Sequence, residues 1–358
     1  MENLSRTEQL EEIKKELASI QYDFASIRDS VNLSNITDEI EDKKTMVSGF
    51  PLRIQKLRSE NYVFDKDLEK QILQLKNHWT SNEPEIKRAI SREMLPLKND
   101  LRQMELQLKQ AEIQKNNPIQ AKKLLSSIKF SQDSLKNKVN SATKAIKGLY
   151  DSLNSEIQKM DQFLKWLEFS FKELDEACFK LLAHENLIMA VEAVWTKDGK
   201  EDKNDPRGNL FLTDQRLIFE QKEEVATKKV LFVTTERKLV QEELFSIPLS
   251  SIDDMKATEQ GLFKNKDFLD LKLNSQATHH QIQLHLFGQD SADWLSMINK
   301  VNSGDYDKNR TKEVPQEVID KIKNAPTICP SCGATIKAVI LRGMDQFDCE
   351  YCGAVIRL

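Results

Sequence analysis

Two Cys-x-x-Cys-Gly pairs stand near the end of this sequence, Cys329-Pro-Ser-Cys332-Gly333 and Cys349-Glu-Tyr-Cys352-Gly353. Their spacing, Cys-x2-Cys-x16-Cys-x2-Cys, is that of a four-thiolate zinc site, in which each pair forms a knuckle and four sulfurs converge on one ion. Four cysteine ligands leave no open coordination position, so the expected Zn2+ is structural rather than catalytic. A dithiol redox pair is the alternative, but a lone Cys-x-x-Cys would suit that chemistry better than two knuckles. Cys178 lies outside the pattern and reads as a small buried hydrophobe, with a reactive thiol as the competing reading. His279, His280 and His285 fall in or beside a strand without a Cys-x-x-Cys pair nearby, and read as ordinary strand residues. No Walker loop, His-based metal motif or nucleophile elbow occurs, so no catalytic residue is assigned and the expectation is a non-enzymatic protein.

Positioning four sulfurs needs a scaffold, and about thirty residues cannot bury a sufficient core alone, which makes metal binding the source of folding energy. Between the knuckles, Ile336 to Leu341 and Gln346 to Asp348 are expected to pair as a hairpin, turning at Arg342-Gly343-Met344-Asp345. This arrangement resembles the zinc-ribbon family over residues 329–358. The charges of the segment, Lys337, Arg342 and Arg357 against Asp345, Asp348 and Glu350, are balanced, which disfavours nucleic acid as a partner.

The longest element is a heptad run from Ile119 to Leu182. Ala121, Leu125, Ile128, Gln132, Leu135, Val139, Ala142, Ile146, Leu149 and Leu153 alternate steps of four and three, a coiled-coil seam. After a one-residue skip the seam resumes at Ile157, Met160, Leu164, Leu167, Phe171 and Leu174, giving an expected rod of roughly 95 Å at about 1.5 Å per residue. Upstream, Ser5 and Glu8 form a capping box for a first seam helix carrying Leu10 to Val31, expected to stop at Ser48-Gly49-Phe50-Pro51. A second helix, with Ile54 to Trp79, should break at Thr80-Ser81-Asn82-Glu83-Pro84. A third carries Ile86 to Leu108 with a kink at Pro96, and Asn116-Asn117-Pro118 ends it. Short breaks predict antiparallel neighbours. Two readings stand for this half: a bundle closed within one chain, or an unequal set whose long fourth helix docks its aromatic end (Phe163, Trp166, Phe169, Phe171) on the next domain or a second protomer.

From about Asn186 the period changes. Leu187–Trp195, Leu210–Leu212, Arg216–Glu220, Lys229–Thr234, Leu239–Ile247, Phe268–Leu273 and His280–Phe287 read as short strands. Leu269, Leu271 and Leu273 should share one face, as should Ile282, Leu284 and Leu286. An amphipathic helix opened by Asp290 or Ser291 presents Trp294, Leu295, Ile298 and Val301, and can plug a small sandwich or barrel. Gly208-Asn-Leu210-Phe-Leu212-Thr213-Asp214-Gln-Arg216-Leu-Ile218-Phe219, with Ile247-Pro248-Leu249-Ser-Ser-Ile252 after it, resembles the hairpin and following strand of GRAM and bacterial pleckstrin-homology (PH)-like domains over about 184–302. That resemblance implies a module binding lipid headgroups, peptides or proteins. The loop that holds anionic headgroups in many PH domains has Lys197, Lys200, Lys203 and Arg207 here against Asp198, Glu201, Asp202 and Asp205, with no net attraction for phosphate. Lys228, Lys229, Arg237 and Lys238 form a more basic stretch that reads as a solvated hairpin face.

The expected organisation is therefore multidomain: a helical coiled-coil region (1–183), an antiparallel PH/GRAM-like domain with a C-terminal helix (184–302), a polar linker with a short helix near Pro315 (303–328), and the ribbon (329–358). A net charge of -4 on 358 residues, 31% of them charged, argues against wholesale coating of nucleic acid or an anionic membrane. The first residues lack a signal-peptide pattern and no window approaches a membrane span, so a cytoplasmic location is expected. The leading functional expectation is a scaffold or adaptor that presents its modules to other proteins, with self-association through the coiled coil as an option. The alternatives are a peripheral membrane protein binding anionic lipid through the PH-like domain, and a nucleic-acid accessory factor acting through the ribbon.

Overall fold

Heptad seams of alternating threes and fours produce the five long helices that open the chain, α1 (Arg6–Val31), α2 (Ser34–Ser59), α3 (Leu68–Gln114), α4 (Pro118–Gly148) and α5 (Asp151–Asp175). The computed structural model describes residues 5–196, 201–230, 233–261, 266–274 and 279–358, with backbone alone over 226–230 and 233–237. The chain divides into two units, Met1–Pro51 with Lys70–Asp161, and Leu52–Glu69 with Gln162–Leu358.

In the first unit, the seam of α4 is buried from Ala121 through Ile146 at every expected position, Gln132 included. Ion pairs fix the helix directions. Lys122 meets Glu12 at 2.8 Å and Lys129 meets Glu16, so α4 runs in the same direction as α1. Lys147 then meets Glu39 at 2.9 Å, so α2 continues along the path of α1. The pairs Lys87–Glu41, Lys44–Glu83 and Lys138–Asp100 set α3 antiparallel to both neighbours. The unit is thus a bundle of three helical strands rather than four successive hairpin helices.

The difference arises at the breaks. The helices run through Ser48–Pro51 and Thr80–Pro84, and Pro51, Pro84 and Pro96 are all exposed. On the solvent face, the carbonyl that a proline deprives of its partner can bond water, which makes an internal proline tolerable. The chain instead breaks at Asn32-Leu33, with Leu33 left-handed (φ 50) yet buried, and at Glu60 to Asp67. The expected break before Pro118 is present, with Asn117 capping α4. The single rod from Ile119 to Leu182 is interrupted at Leu149-Tyr150, where the seam slips by one residue. Leu149 turns outward and Tyr150 is buried against Trp79. With α3 spanning 47 residues and α4 31, the bundle is not the unequal set with a long fourth helix that the heptad run suggests.

The second unit is built on a seven-stranded antiparallel sheet: β1 (Leu187–Thr196), β2 (Arg207–Thr213), β3 (Arg216–Val230), β4 (Val233–Pro248), β5 (Ile252–Gln260), β6 (Lys266–Leu273) and β7 (Gln281–Leu286). Their order is β4-β3-β2-β1-β7-β6-β5. Two meanders therefore join where β1 pairs with both β2 and β7. The segment Lys229–Thr234 is no separate strand: it is the far end of the β3–β4 hairpin. β5 was not anticipated, because Ile252–Gln260 is polar and only partly buried. Leu269, Leu271, Leu273, Ile282, Leu284 and Leu286 are buried as their alternation predicts. Helix α6 (Ser291–Asn302), capped by Asp290, lies against β5 and β6 with Trp294 and Ile298 buried. The Trp294 Nε1–H donates to Gln289, whose own amide donates to the Ala190 carbonyl, so the helix is tied to β1.

The last turns of α5 also belong to this unit and lie on the same sheet. Ser170 Oγ accepts the Ala190 amide at 2.6 Å, and Glu173 accepts from Asn209 and Lys222 at 2.9 and 2.8 Å. The C-terminal end of the long seam is therefore bonded through Ser170 and Glu173 to the β-domain of its own chain, one of the two destinations its sequence left open, while Phe171 packs edge-on to Tyr62 at 6.1 Å. Two short helices, α7 (Asp305–Lys308) and α8 (Gln316–Lys323), precede the ribbon strands β8 (Gln346–Asp348) and β9 (Val355–Arg357). Within this stretch Thr311 donates its amide to the Val63 carbonyl at 2.7 Å and Tyr306 packs edge-on to Phe64 at 5.2 Å.

Candidate metal centre

The two cysteine pairs fold into near-identical turns. In the first, Gly333 N–H donates to Cys329 O at 2.9 Å and Cys329 N–H to Ala334 O at 2.8 Å. In the second, Gly353 N–H donates to Cys349 O and Cys349 N–H to Ala354 O, both at 2.9 Å. Each turn needs a left-handed residue after its second cysteine, and Gly333 (φ 74) and Gly353 (φ 69) supply it without a Cβ penalty. The turns aim all four Sγ atoms inward, within 4.8 Å of one another. The Cys329–Cys352 and Cys332–Cys349 separations are both 3.8 Å. A tetrahedron of thiolates with metal–sulfur bonds of about 2.3 Å has edges of about 3.8 Å, so these two edges match and the cluster is compatible with a tetrahedral metal.

The electrostatics agree with the geometry. Backbone amides of Cys332 and Ser331 aimed at the Cys329 sulfur bring its pKa down to about 6. The Ala354 amide favours the Cys352 thiolate too, yet its contacts with the Cys332, Cys349 and Cys329 sulfurs and its desolvation outweigh that and push Cys352 up to about 12. Four sulfurs this close cannot all ionise without a cation between them, and a divalent ion removes the conflict. Cys329 and Cys349 are buried, and Phe347 and Ile356 complete a small core with Ile336, Ala338, Ile340, Met344 and Leu358 packed around it. The strand pairing differs from expectation. β8 pairs with β9, Phe347 opposite Ile356, whereas 336–341 forms no strand; its first residue, Ile336, donates its amide to the Thr327 carbonyl at 2.9 Å, next to a bridge between Ile328 and Thr335. The second knuckle folds Ala354 back onto Cys349, which brings the chain after it alongside β8.

The chain is similar to several solved structures. One is the Vps36 N-terminal PH domain, at 16% identity and a TM-score of 0.25, covering 35% of this chain and 84% of that one. Another is the DH/PH pair of PDZ-RhoGEF in complex with GTP-gamma-S activated RhoA, at 13% identity and a TM-score of 0.23, covering 84% and 96%. A third is a mutant of the p115-RhoGEF DH/PH domains, at 12% identity and a TM-score of 0.19, covering 85% and 100%. No protein-family model and no curated protein matches the sequence. The PH-like description rests on this chain's own strands: two antiparallel meanders sharing β1, closed by a C-terminal helix.

Of the other residues singled out in the sequence, Cys178 is exposed rather than buried, because the chain leaves α5 before it; its amide donates to Glu220 at 2.6 Å. Desolvation and the Glu220 carboxylate push its thiol up to about 11, so it is a poor nucleophile. His285 is buried between Phe268 and Phe287, whereas His280 is exposed. In the β1–β2 loop, Glu201 pairs with Lys266 at 2.5 Å and contacts His285 Nδ1 at 3.0 Å. Lys197, Asp198 and Lys200 lie outside the described residues, as do the side chains of Lys228, Lys229 and Arg237.

The sequence reading missed a charged cluster on the β2–β3 turn. Thr213 Oγ1 accepts the Gln215 and Arg216 amides, while Arg216 forms a two-pronged pair with the fully buried Glu185 at 2.9 and 2.7 Å. Thr213 and Arg216 of the hairpin motif thus share one buried carboxylate. The residue between them, Asp214, is also buried. It takes Arg310 at 2.6 Å, Arg342 at 2.9 Å and the Asn186 amide at 3.0 Å. Burial raises its pKa, and Arg342, the Asn186 amide and Arg310 oppose that rise. Nothing in the spacing of residues 214, 310 and 342 announces this meeting.

Proposed function

We propose that this chain is a non-enzymatic scaffold or adaptor, in which a helical bundle and a PH-like module of GRAM type, braced by a structural zinc ribbon, serve protein interactions in the cytoplasm. The observation that carries the reading is the closed four-cysteine centre. Its sulfurs use every position of a tetrahedral ion, which leaves zinc a folding role and no site for substrate. Zinc is the ion the donor set favours, since four thiolates at these separations suit a soft-tolerant tetrahedral cation.

Protein is favoured over anionic lipid as the partner of the PH-like module by the charges of its β1–β2 loop. Lys266 is held by Glu201, and Lys203 and Arg207 stand with Asp202, Asp205 and Glu223 around the same cleft. A headgroup phosphate gains little there. Among the described residues no helix is long and apolar enough to cross a membrane. The seams of α1 to α4 are filled within one chain, so assembly does not require a second copy.

Flotation of the full-length protein with vesicles containing phosphatidylserine, at low and high salt, tests the reading. Recovery at the bottom of the gradient in both conditions is expected. Salt-sensitive flotation would replace it with the peripheral-membrane alternative. Light scattering should give the mass of a monomer, and a dimer would restore assembly through the coiled coil.

A further inference from the structure

We propose that the four-cysteine centre and the β2–β3 turn of the PH-like sheet are coupled through Asp214, so that a metal bound at the cysteines also secures the turn. The inference goes beyond the proposed function, since it holds whatever partner the module takes.

Asp214 lies at the tip of that turn with its side chain 1% exposed, and the two guanidinium groups that neutralise it, Arg310 and Arg342, are 4% and 11% exposed. Arg310 comes from the segment after α7, and stacks over the Phe64 ring at 5.0 Å. Arg342 comes from the ribbon. Asp307 contacts both guanidiniums, at 3.0 and 3.2 Å, so the four side chains form one network. The ribbon also engages through its backbone. The Arg342 amide donates to Gln215 Oε1, the Gln215 side-chain amide donates to Arg342 O at 3.2 Å, and Arg342 Nη2 reaches Asp214 O at 3.2 Å. Gly343 (φ +83) lies so close to Ala183 that a Cβ would stand 2.1 Å from its carbonyl oxygen. The adjoining residues tie this turn to the cysteine core: Met344 packs against the cluster formed by Cys329, Phe347, Cys349 and Ile356, and the Leu358 amide closes on Asp345 O at 2.9 Å.

The physical chain is short. A ribbon this small cannot hold its fold without the metal. When it loosens, Arg342 and the Gly343 contact are lost, and Asp214 is left buried with one guanidinium in place of two. By linkage, whatever the metal contributes to the turn, the turn returns to the metal site. Asp214 therefore acts as a positioning residue for a centre whose ligands it does not touch.

The sign of one substitution separates this coupling from a simple field effect. Four thiolates around a divalent ion carry a net negative charge, so removing the Asp214 charge relieves repulsion and, by Coulomb's law alone, slows metal release. Coupling predicts the reverse. The full-length protein is loaded with Zn2+ and release to a chromogenic chelator is timed. Asp214→Asn should release zinc faster, by roughly five-fold or more. Should that variant lose the PH-like fold, Arg342→Gln keeps Asp214 and all four cysteines. It should release zinc faster than Lys337→Gln, which removes the same charge from an exposed site on the ribbon. In parallel, removing zinc from the wild type should raise hydrogen exchange at the Asn186 and Asp214 amides. Release from Asp214→Asn or Arg342→Gln no faster than from wild type or Lys337→Gln, or amide protection unchanged by zinc removal, overturns the coupling while leaving the ribbon assignment intact. A protein that takes up no zinc overturns both.

Discussion

The helical bundle and the β-domain with its ribbon are stabilised in opposite ways. In the bundle, stability is spread along a repeat: eight consecutive seam positions of α4 are buried, and the ion pairs that flank them, such as Lys138–Asp100 and Lys122–Glu12, are exposed. Exposed pairs of this kind contribute little individually, roughly 0–1 kcal/mol, so no single contact decides the fold. In the β-domain and ribbon, by contrast, a few buried charges hold the turns. Glu185 and Asp214 are almost wholly buried and are neutralised by arginines from 31, 96 and 128 residues away in sequence. The contrast teaches that the bundle should degrade gradually under mutation and the second unit abruptly.

The largest effect is expected from the metal site. Cys349→Ser removes one of four ligands, and the ribbon should release zinc and unfold while the far-ultraviolet helix signal of the bundle stays near that of the wild type. Full zinc occupancy in the variant, measured by elemental analysis, would sink the metal assignment.

Next comes Arg310→Met. It leaves Asp214 buried with Arg342 alone and strips Asn186 Oδ1 of its guanidinium partner. Breaking one side of a buried pair costs about 3–5 kcal/mol, whereas losing an exposed pair such as Lys138–Asp100 costs under about 1 kcal/mol. Urea denaturation of Arg310→Met and Lys138→Met, followed by tryptophan fluorescence, should separate the two by that margin. Equal losses would mean that the two units are not stabilised differently.

The same contrast explains what the sequence disclosed. Every apolar position of the α4 seam and the alternation of Leu269, Leu271 and Leu273 were legible, because a repeat announces its own period and one face must be buried. The meeting of the four cysteines was legible because two Cys-x-x-Cys knuckles at this spacing are what a tetrahedral metal would require. Helix breaks are not legible at Pro51 and Pro84, where proline reads as a stop, since only the fold shows that those positions face solvent. They were missed at Asn32-Leu33 and at Glu60 to Asp67, where no proline or glycine stands. The pairing of β8 with β9 rather than with 336–341 depends on how the second knuckle returns the chain. The cluster at Asp214 depends on three segments meeting, and each of its residues alone looks like one more surface charge. Point contacts between distant segments have no period to read.

A third test asks whether burial of a titratable group adds a pH dependence that belongs to the second unit. Burial lowers the pKa of His285, against the opposing pull of Glu201. A histidine whose folded pKa lies below its unfolded value binds fewer protons in the native state. Its contribution is complete above the unfolded pKa of about 6.5 and is lost as pH falls below that value. The denaturation midpoint of the zinc-loaded protein should therefore fall between pH 7.5 and 5.5, and His285→Gln should flatten part of that slope. An identical slope in the variant would show that the histidine has no share in it.

The smallest effect concerns the one polar residue in the α4 seam. Gln132 is buried, and its side-chain amide donates to the Ile20 carbonyl of α1 at 3.0 Å. That carbonyl lies inside a helix and can accept the backbone bond of the following turn, so removing the glutamine does not strand it. A polar seam residue fixes register at some cost in stability. Gln132→Leu should thus leave the bundle as stable as before or raise its stability by up to about 1 kcal/mol, whereas Leu125→Ala, one heptad away, should lower it by about 2–5 kcal/mol. A loss of more than about 2 kcal/mol in Gln132→Leu would show that the bundle, too, depends on a single polar contact, and the division between a distributed and a point-held unit would fail.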